Sequence, residues 1–495
     1  LRRNHTEISL VVAALMLGCG DAKNNGRRDT SNSSDVTDAT EADSAPSDIA
    51  PSDASAKTYG AAQLGVGRAH DPAWVELFGG AGDDEAWAVS TGDGVILAGM
   101  TRSTWFSEFE DPCKASGDDA GEDCGDAFAI EVASGTGIQF GGPREDIVRG
   151  VWHDADGVYL GGTSNEPSFR KDAWVTRLAR DFSKRVWEVP IEHANKVDEV
   201  LGLTAVGDTI HVAGGSSGNI GQNQPAGDED MFVLSLSSEG ATTASSQWGT
   251  VRFEEVMGVA ADGAGVYAAG QTNGWLGDAA GGANLGSTDV ILRVMRPDLT
   301  AVCTTQFGTS GKDVGQAIAV VGDHLYVAGW TTGVINAEED DGGRCNQNLG
   351  SDSLDAFVAK YDKLCRHIWT RQFGSPLGDT IDAIAADAEH VYVVGTTGGS
   401  AEHSDQPDST DGFLRAYDLD GVLVGEVLFD SSDGTPRADF GRAVAVDGSF
   451  VYVAGSTNGA LGPGSHGGSD AFLARVPLAA VKSGLTVDGD GCGGD

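Results

Sequence analysis

The sequence predicts an all-β fold: a seven-bladed β-propeller of four-stranded antiparallel blades, closed by its own N-terminal strand. Three observations carry that prediction. An apolar run ending in glycine, such as Val451 to Gly455, occurs seven times and closes at Gly99, Gly162, Gly214, Gly270, Gly329, Gly395 and Gly455. An acid stands ahead of each run, followed four positions later by a small residue and an aliphatic one, as Asp84 leads Ala88-Val89 and Glu254 leads Gly258-Val259. The third observation is a mismatch at the two ends of the repeat array, which ring closure resolves. Self-similarity at a fixed period is the mark of repeat architectures, and a turn-dense, glycine-rich chain of this kind belongs with β proteins.

The N-terminus is read as residues 1–19 forming an export signal. Arg2 and Arg3 make a basic start, Ile8 to Leu17 an apolar core too short to span a bilayer, and Gly18-Cys19 a small residue before cysteine. Leu15 to Cys19 resembles the bacterial lipobox, although Met16 and Leu17 stand where leucine and a small residue are usual. The resemblance implies lipidation of Cys19, and Gly20 after it implies the outer membrane. Residues 20–58 are rich in Ser, Asp and Ala with almost no large apolar side chain. Such a stretch buries too little surface to offset the entropy of ordering, so a flexible tether is expected.

Residues 74–482 hold the repeats. Each unit opens at its acid: Asp84, Asp146, Asp198, Glu254, Asp313, Asp379 and Asp439. The glycine-ended run follows as the second strand. An aspartate then opens a third, alternating strand at Asp126, Asp172, Asp230, Asp289, Asp355, Asp411 and Asp470. The fourth strand ends in an aromatic at Phe140, Trp248, Phe307 and Phe373, with degenerate versions at Ile191 and Phe429. The seventh unit lacks a fourth strand, while a spare copy, Trp74 to Phe78, precedes the first. Pairing that spare strand into the last blade joins the ring and removes the open edges of the sheet array. Residues 483–495 are read as a Gly/Asp-rich disordered tail.

These residues resemble the bacterial β-propeller repeat family described as seven-bladed. Phe373-Gly374, Asp313, Ala443 to Asp447, Val451 to Gly455 and Asp355 to Lys360 carry the likeness, which recurs in order along the repeat region. It implies an extracytoplasmic repeat domain and brings no catalytic residues.

A net charge of −42, from 74 acidic against 32 basic residues, disfavours nucleic acid and anionic lipid as partners. Membrane association is expected only through the lipid anchor, and the propeller is expected to be a monomer. Of the cysteines beyond Cys19, Cys113 and Cys124 share one loop and are expected to pair; Cys303, Cys345, Cys365 and Cys492 leave their pairing open. The seven opening acids could ring one face as Ca²⁺ ligands, but recurrence in every unit favours a turn-bonding role. No other cofactor is expected.

The long loops after Thr101 and Thr332 are the expected seat of specificity. One carries Glu108, Glu110 and Asp111 with Trp105, Phe106 and Phe109; the other carries Glu338, Glu339, Asp340 and Asp341. The three aromatics are the first expected contacts, the alternative being that they pack the loop down onto the domain. The expected role is a non-catalytic binding or scaffolding platform for a protein or polysaccharide, at the outer membrane or cell surface. The alternatives are a polysaccharide-active enzyme with its site at the propeller axis and a purely structural envelope component. Exposed loop aromatics would favour the platform; acids meeting Arg or His at the axis would favour the enzyme.

Overall fold

The structure, a computed structural model, describes residues 57–58, 74–106, 124–142, 144–166, 170–193, 196–221, 225–277, 284–335, 354–375, 377–398, 410–431, 437–459, 461–462 and 466–482. Strands dominate. They form seven antiparallel sheets, and the innermost strands are Asp84–Gly92, Asp146–His153, Asp198–Val206, Glu254–Asp262, Asp313–Val321, Asp379–Ala386 and Asp439–Val446 in blades 1 to 7. Each lies against the innermost strands of the blades before and after it, and the seventh lies against the first. The ring is therefore closed, with seven strand edges around one axis. The signal and lipobox residues, Cys19 included, lie outside the described residues, as do Phe109, Glu108, Glu110, Asp111, Glu338, Glu339, Asp340, Asp341 and Cys113.

Closure takes the form that the strand arithmetic predicts. Trp74–Phe78 pairs antiparallel with Asp470–Pro477, Val75 facing Ala474 and Leu77 facing Phe472, and so supplies the outer strand of blade 7. Leu77 and Phe78 are 1% and 0% exposed, so the junction is sealed by hydrophobic burial as well as by the ladder. At the end of the expected tether, Lys57–Thr58 adds a two-residue fifth strand to blade 1 against Gly137 and Thr136. A short helix, Leu478–Lys482, ends the described chain, with Val481 buried.

Between blades the packing is a set of local clusters, each built from the second and third strands of neighbours. Tyr326 and Val358 of blade 5 meet Val393 and Phe413 of blade 6, for example. Alternation explains this: both faces of every blade meet another blade, so the second and third strands are apolar on both faces. Cys303, on the fourth strand of blade 4 (Ala301–Phe307), is disulfide-bonded to Cys365, in the last turn of blade 5, with their Cα atoms 6.1 Å apart. Cys124 is also disulfide-bonded, to a partner outside the described residues.

One irregularity recurs in all seven blades. On each innermost strand the pairing register slips by one residue, between Ala86 and Ala88 in blade 1 and at the equivalent place in every other blade. A bulge of this type leaves one residue outside the ladder and re-aims its side chain. The recurring glycine makes it feasible. A Cβ at Gly99, Gly162, Gly214, Gly270, Gly329, Gly395 or Gly455 would come within 3.0 Å of the carbonyl oxygen of Glu85, Ile147, Glu199, Glu255, Val314, Thr380 or Phe440, respectively.

Candidate functional site

The seven opening acids are 0 to 6% exposed and bond to the turns around them. Asp84 accepts the Gly80 N–H at 2.7 Å, the Thr101 hydroxyl and the Trp105 indole N–H at 3.2 Å. Backbone N–H groups of Gly142, Thr250, Thr309, Ser375 and Ser431 serve Asp146, Glu254, Asp313, Asp379 and Asp439 in the same way, while His193 and Ser216 serve Asp198. Burial pushes the Asp84 carboxyl up to about 7 in spite of these bonds. The geometry is that of turn bonding. The carboxylates of Asp411, Asp430 and Asp439 also converge; Asp411 and Asp439 recur in every blade as strand-opening acids, while Asp430 stands where glycine follows the fourth-strand aromatic in other blades.

The second strand ends opposite the opening acid, as Thr101 faces Asp84, so the long loops leave on the acid-bearing face. Their described aromatics correct the sequence reading. Trp105 and Phe106, expected as contacts for a partner, are 4% and 3% exposed and belong to the core cluster of blades 1 and 7. The Trp105 ring lies 4.3 Å from that of Phe128 and its indole nitrogen is committed to Asp84. The physical reason is a polar strut beneath the loop. Gln139 accepts the Trp105 N–H at 3.0 Å and donates to Asp126 at 2.9 Å, drawing the start of the loop down onto the blade. Gln247, Gln306 and Gln372 hold Ile220, Leu276 and Ile335 likewise.

What the molecule gathers instead lies at the axis. The bulged residues are Trp87, Arg149, Leu201, Met257, Gln316, Asp382 and Arg442, one per blade and all half-buried. The Arg149 guanidinium lies 4.1 Å from the Trp87 ring centroid and that of Arg442 4.7 Å, so charges from blades 2 and 7 flank an aromatic of blade 1. Arg442 Nη1 is 2.8 Å from Asp382 Oδ2 of blade 6. Arg149 feels the charges of Glu199, Glu145 and Glu85, which partly offset the burial that lowers its pKa. A run of contacts thus joins Asp382, Arg442, Trp87 and Arg149 across blades 6, 7, 1 and 2, and the charge of Glu199 in blade 3 acts on its end. The buried Trp87 Nε1 has no hydrogen-bond partner among the described residues.

The arc continues into the seam of blades 3 and 4. Carboxylate oxygens of Glu199, Glu229 and Glu255 lie within 4.8 Å of one another. Lys171 Nζ sits 2.6 Å from Glu199 Oε1, and Gln271 Nε2 donates to Glu255 Oε2 at 3.1 Å. Burial first, then mutual repulsion, raises the pKa of both Glu229 and Glu255.

The sequence reading missed these axial residues, though a signal was present. Within a frame of repeated residue types, the third position after each opening acid changes chemistry in nearly every copy: Trp, Arg, Leu, Met, Gln, Asp, Arg.

No family model matches the chain, and no curated protein does. Among solved structures, a protein provisionally named 6-phosphogluconolactonase from Bacteroides uniformis is 12% identical over 69% of this chain and 89% of its own, with a TM-score of 0.38. A second with the same provisional name, from Bacteroides fragilis, is 11% identical over 79% and 91%, with a TM-score of 0.36. A subtype N10 neuraminidase-like protein of A/little yellow-shouldered bat/Guatemala/060/2010 is 8% identical over 66% and 93%, also at 0.36.

Proposed function

We propose that this protein is a propeller module of the bacterial envelope that receives a carbohydrate segment at its axis. The observation that carries the reading is the arc in which Arg149 and Arg442 flank Trp87 while Asp382, Glu85 and Glu199 alternate with them. Closely spaced donors and acceptors beside an aromatic suit a polyhydroxylated ligand, which offers both kinds of group. A site of a few placed polar groups in a concave mouth is the usual form of such recognition. The export signal, Cys19 and the likeness to the seven-bladed repeat family support an envelope address, with the acidic tether spacing the propeller from the membrane. The Cys303–Cys365 disulfide agrees with an oxidising compartment.

Catalysis on polysaccharide at the same arc is the second reading, favoured by the meeting of acids and arginines at the axis. Calorimetric titration of the full propeller with a panel of neutral and acidic envelope oligosaccharides tests the first. A bound oligosaccharide whose affinity falls tenfold or more in Trp87→Ala and Arg442→Gln supports the axial seat. Binding that survives both and disappears when Glu338, Glu339, Asp340 and Asp341 are neutralised would return specificity to the loops. Release of new reducing ends from the bound glycan would favour the enzyme.

A further inference from the structure

We propose that Glu199, Glu229 and Glu255 form a binding site for one divalent cation of the calcium class at the seam of blades 3 and 4. The three come from different places in the repeat. Glu199 and Glu255 are the second residues of two neighbouring innermost strands, and Glu229 immediately precedes the third strand of blade 3 (Asp230–Ser237), where it forms a single parallel bridge with Phe253. They are 3%, 5% and 7% exposed in the order Glu199, Glu229, Glu255.

Concentrated carboxylates alone would not make a site; Glu229 provides the second observation. Its Oε1 is buried and has no hydrogen-bond partner among the described residues, although the other two glutamates each have one, from Lys171 and Gln271. That oxygen lies over Gly215 alongside the Cγ of Glu255, in the space a Cβ on Gly215 would fill, so it points into the cluster. A buried acceptor without a donor is costly, and a hard cation is the ligand that satisfies it.

The donor set and its spacing agree. Oxygens on opposite sides of a Ca²⁺ ion stand about 4.8 Å apart, from coordination distances of about 2.4 Å, and these lie within 4.8 Å of one another. Once a cation displaces the protons that burial favours on Glu229 and Glu255, three carboxylates against the Lys171 ammonium leave two negative charges, which a divalent ion neutralises. The set contains no histidine or cysteine, which disfavours zinc. The Gln271 side chain uses its nitrogen on Glu255, leaving its carbonyl oxygen for a cation.

The seam is also singular. The second positions of the other innermost strands are Glu85, Ile147, Val314, Thr380 and Phe440, and the residues matching Glu229 are Gly125, Lys171, Thr288, Leu354, Thr410 and Ser469. Only here do two glutamates on adjacent innermost strands meet a third. The opening acids recur in every blade as structure requires; this trio occurs once, as a site does.

Glu199 also borders the axial arc, but cation binding is measured without any sugar present, so this inference and the carbohydrate reading fail separately. Chelator-treated full-length protein would be titrated with CaCl₂ by calorimetry, with melting followed in parallel. The expected result is one tight site, a higher melting temperature, and affinity at least tenfold weaker in Glu229→Gln. Neutralising Glu338, Glu339, Asp340 and Asp341 is expected to leave that site unchanged, separating it from diffuse binding to an acidic surface. Lys171→Met, which removes the competing cation, is expected to tighten binding several-fold and covers the case in which Glu229→Gln does not fold. Absence of a tight site in both wild type and Lys171→Met, or an unchanged isotherm in folded Glu229→Gln, would overturn the proposal and leave the seam as a proton-sharing carboxyl cluster.

Discussion

Glycine at the end of each second strand is a steric requirement of the neighbouring bulge. In blade 5 a Cβ on Gly329 would meet the Val314 carbonyl oxygen, a backbone atom that no rotamer change can move. Gly329→Ala should therefore cost about 2–3 kcal/mol, at the upper end of overpacking penalties, read as a shift of the urea midpoint. A change below about 0.5 kcal/mol, the range of indifferent surface substitutions, would contradict the steric account. His211 offers a second residue-scale test. It stands where tyrosine stands in most copies, its Nδ1 is 2.8 Å from the Ser235 hydroxyl, and burial lowers its pKa to about 4. Between pH 4 and 6.5 the unfolded chain binds the proton and the folded one does not, so His211 makes stability rise with pH through that window and fall on acidification. From pH 7 to 4.5 the wild type should lose about 2.5 kcal/mol more than His211→Tyr, at 1.36 kcal/mol per unit. Parallel pH profiles would refute the assignment. Recurrence made the glycines and the opening acids legible in the sequence. Trp87 and its six counterparts were hidden because they do not recur, and Trp105 misled because an aromatic in an acidic loop reads as exposed until the Gln139 strut beneath it is seen.

Strands were the most readable elements, since fixed acids mark the first and third strands, a fixed glycine stands near the end of the second and an aromatic ends most fourth strands; all seven innermost strands begin at the residue the pattern marks. Pairing across blades was less so, because partners far apart in sequence leave no local trace. Trp74–Phe78 was an exception, identified by counting. If it clasps blade 7, cysteines at Val75 and Ala474, which face each other in the ladder, should bond without moving the backbone. Val75→Cys with Ala474→Cys should oxidise spontaneously and raise stability by up to about 6 kcal/mol, the chain-entropy value for so long a loop; persistent free thiols would show the strands apart. The Cys303–Cys365 link could not be predicted from spacing, because it joins blades 4 and 5 across 62 residues. Its removal in a Cys303→Ala, Cys365→Ala variant should cost about 4 kcal/mol on the same scale, with unchanged denaturation as the contrary result.

For the molecule as a whole, charge and recognition are separated. A net charge of −42 disfavours polyanions on electrostatic grounds, whereas Arg149 and Arg442, flanking Trp87, supply positive charge at the axis. A repeated frame holds seven bulges at one level and leaves each free to carry different chemistry, so the ring gathers a site from residues that the sequence scatters. Labelling the protein with 5-fluorotryptophan and following its ¹⁹F spectrum during titration with a bound envelope oligosaccharide tests this most directly. The Trp87 resonance, assigned through Trp87→Phe, should move with saturation while that of Trp105 stays fixed. A stationary Trp87 signal, with Trp105 moving in its place, would contradict an axial seat.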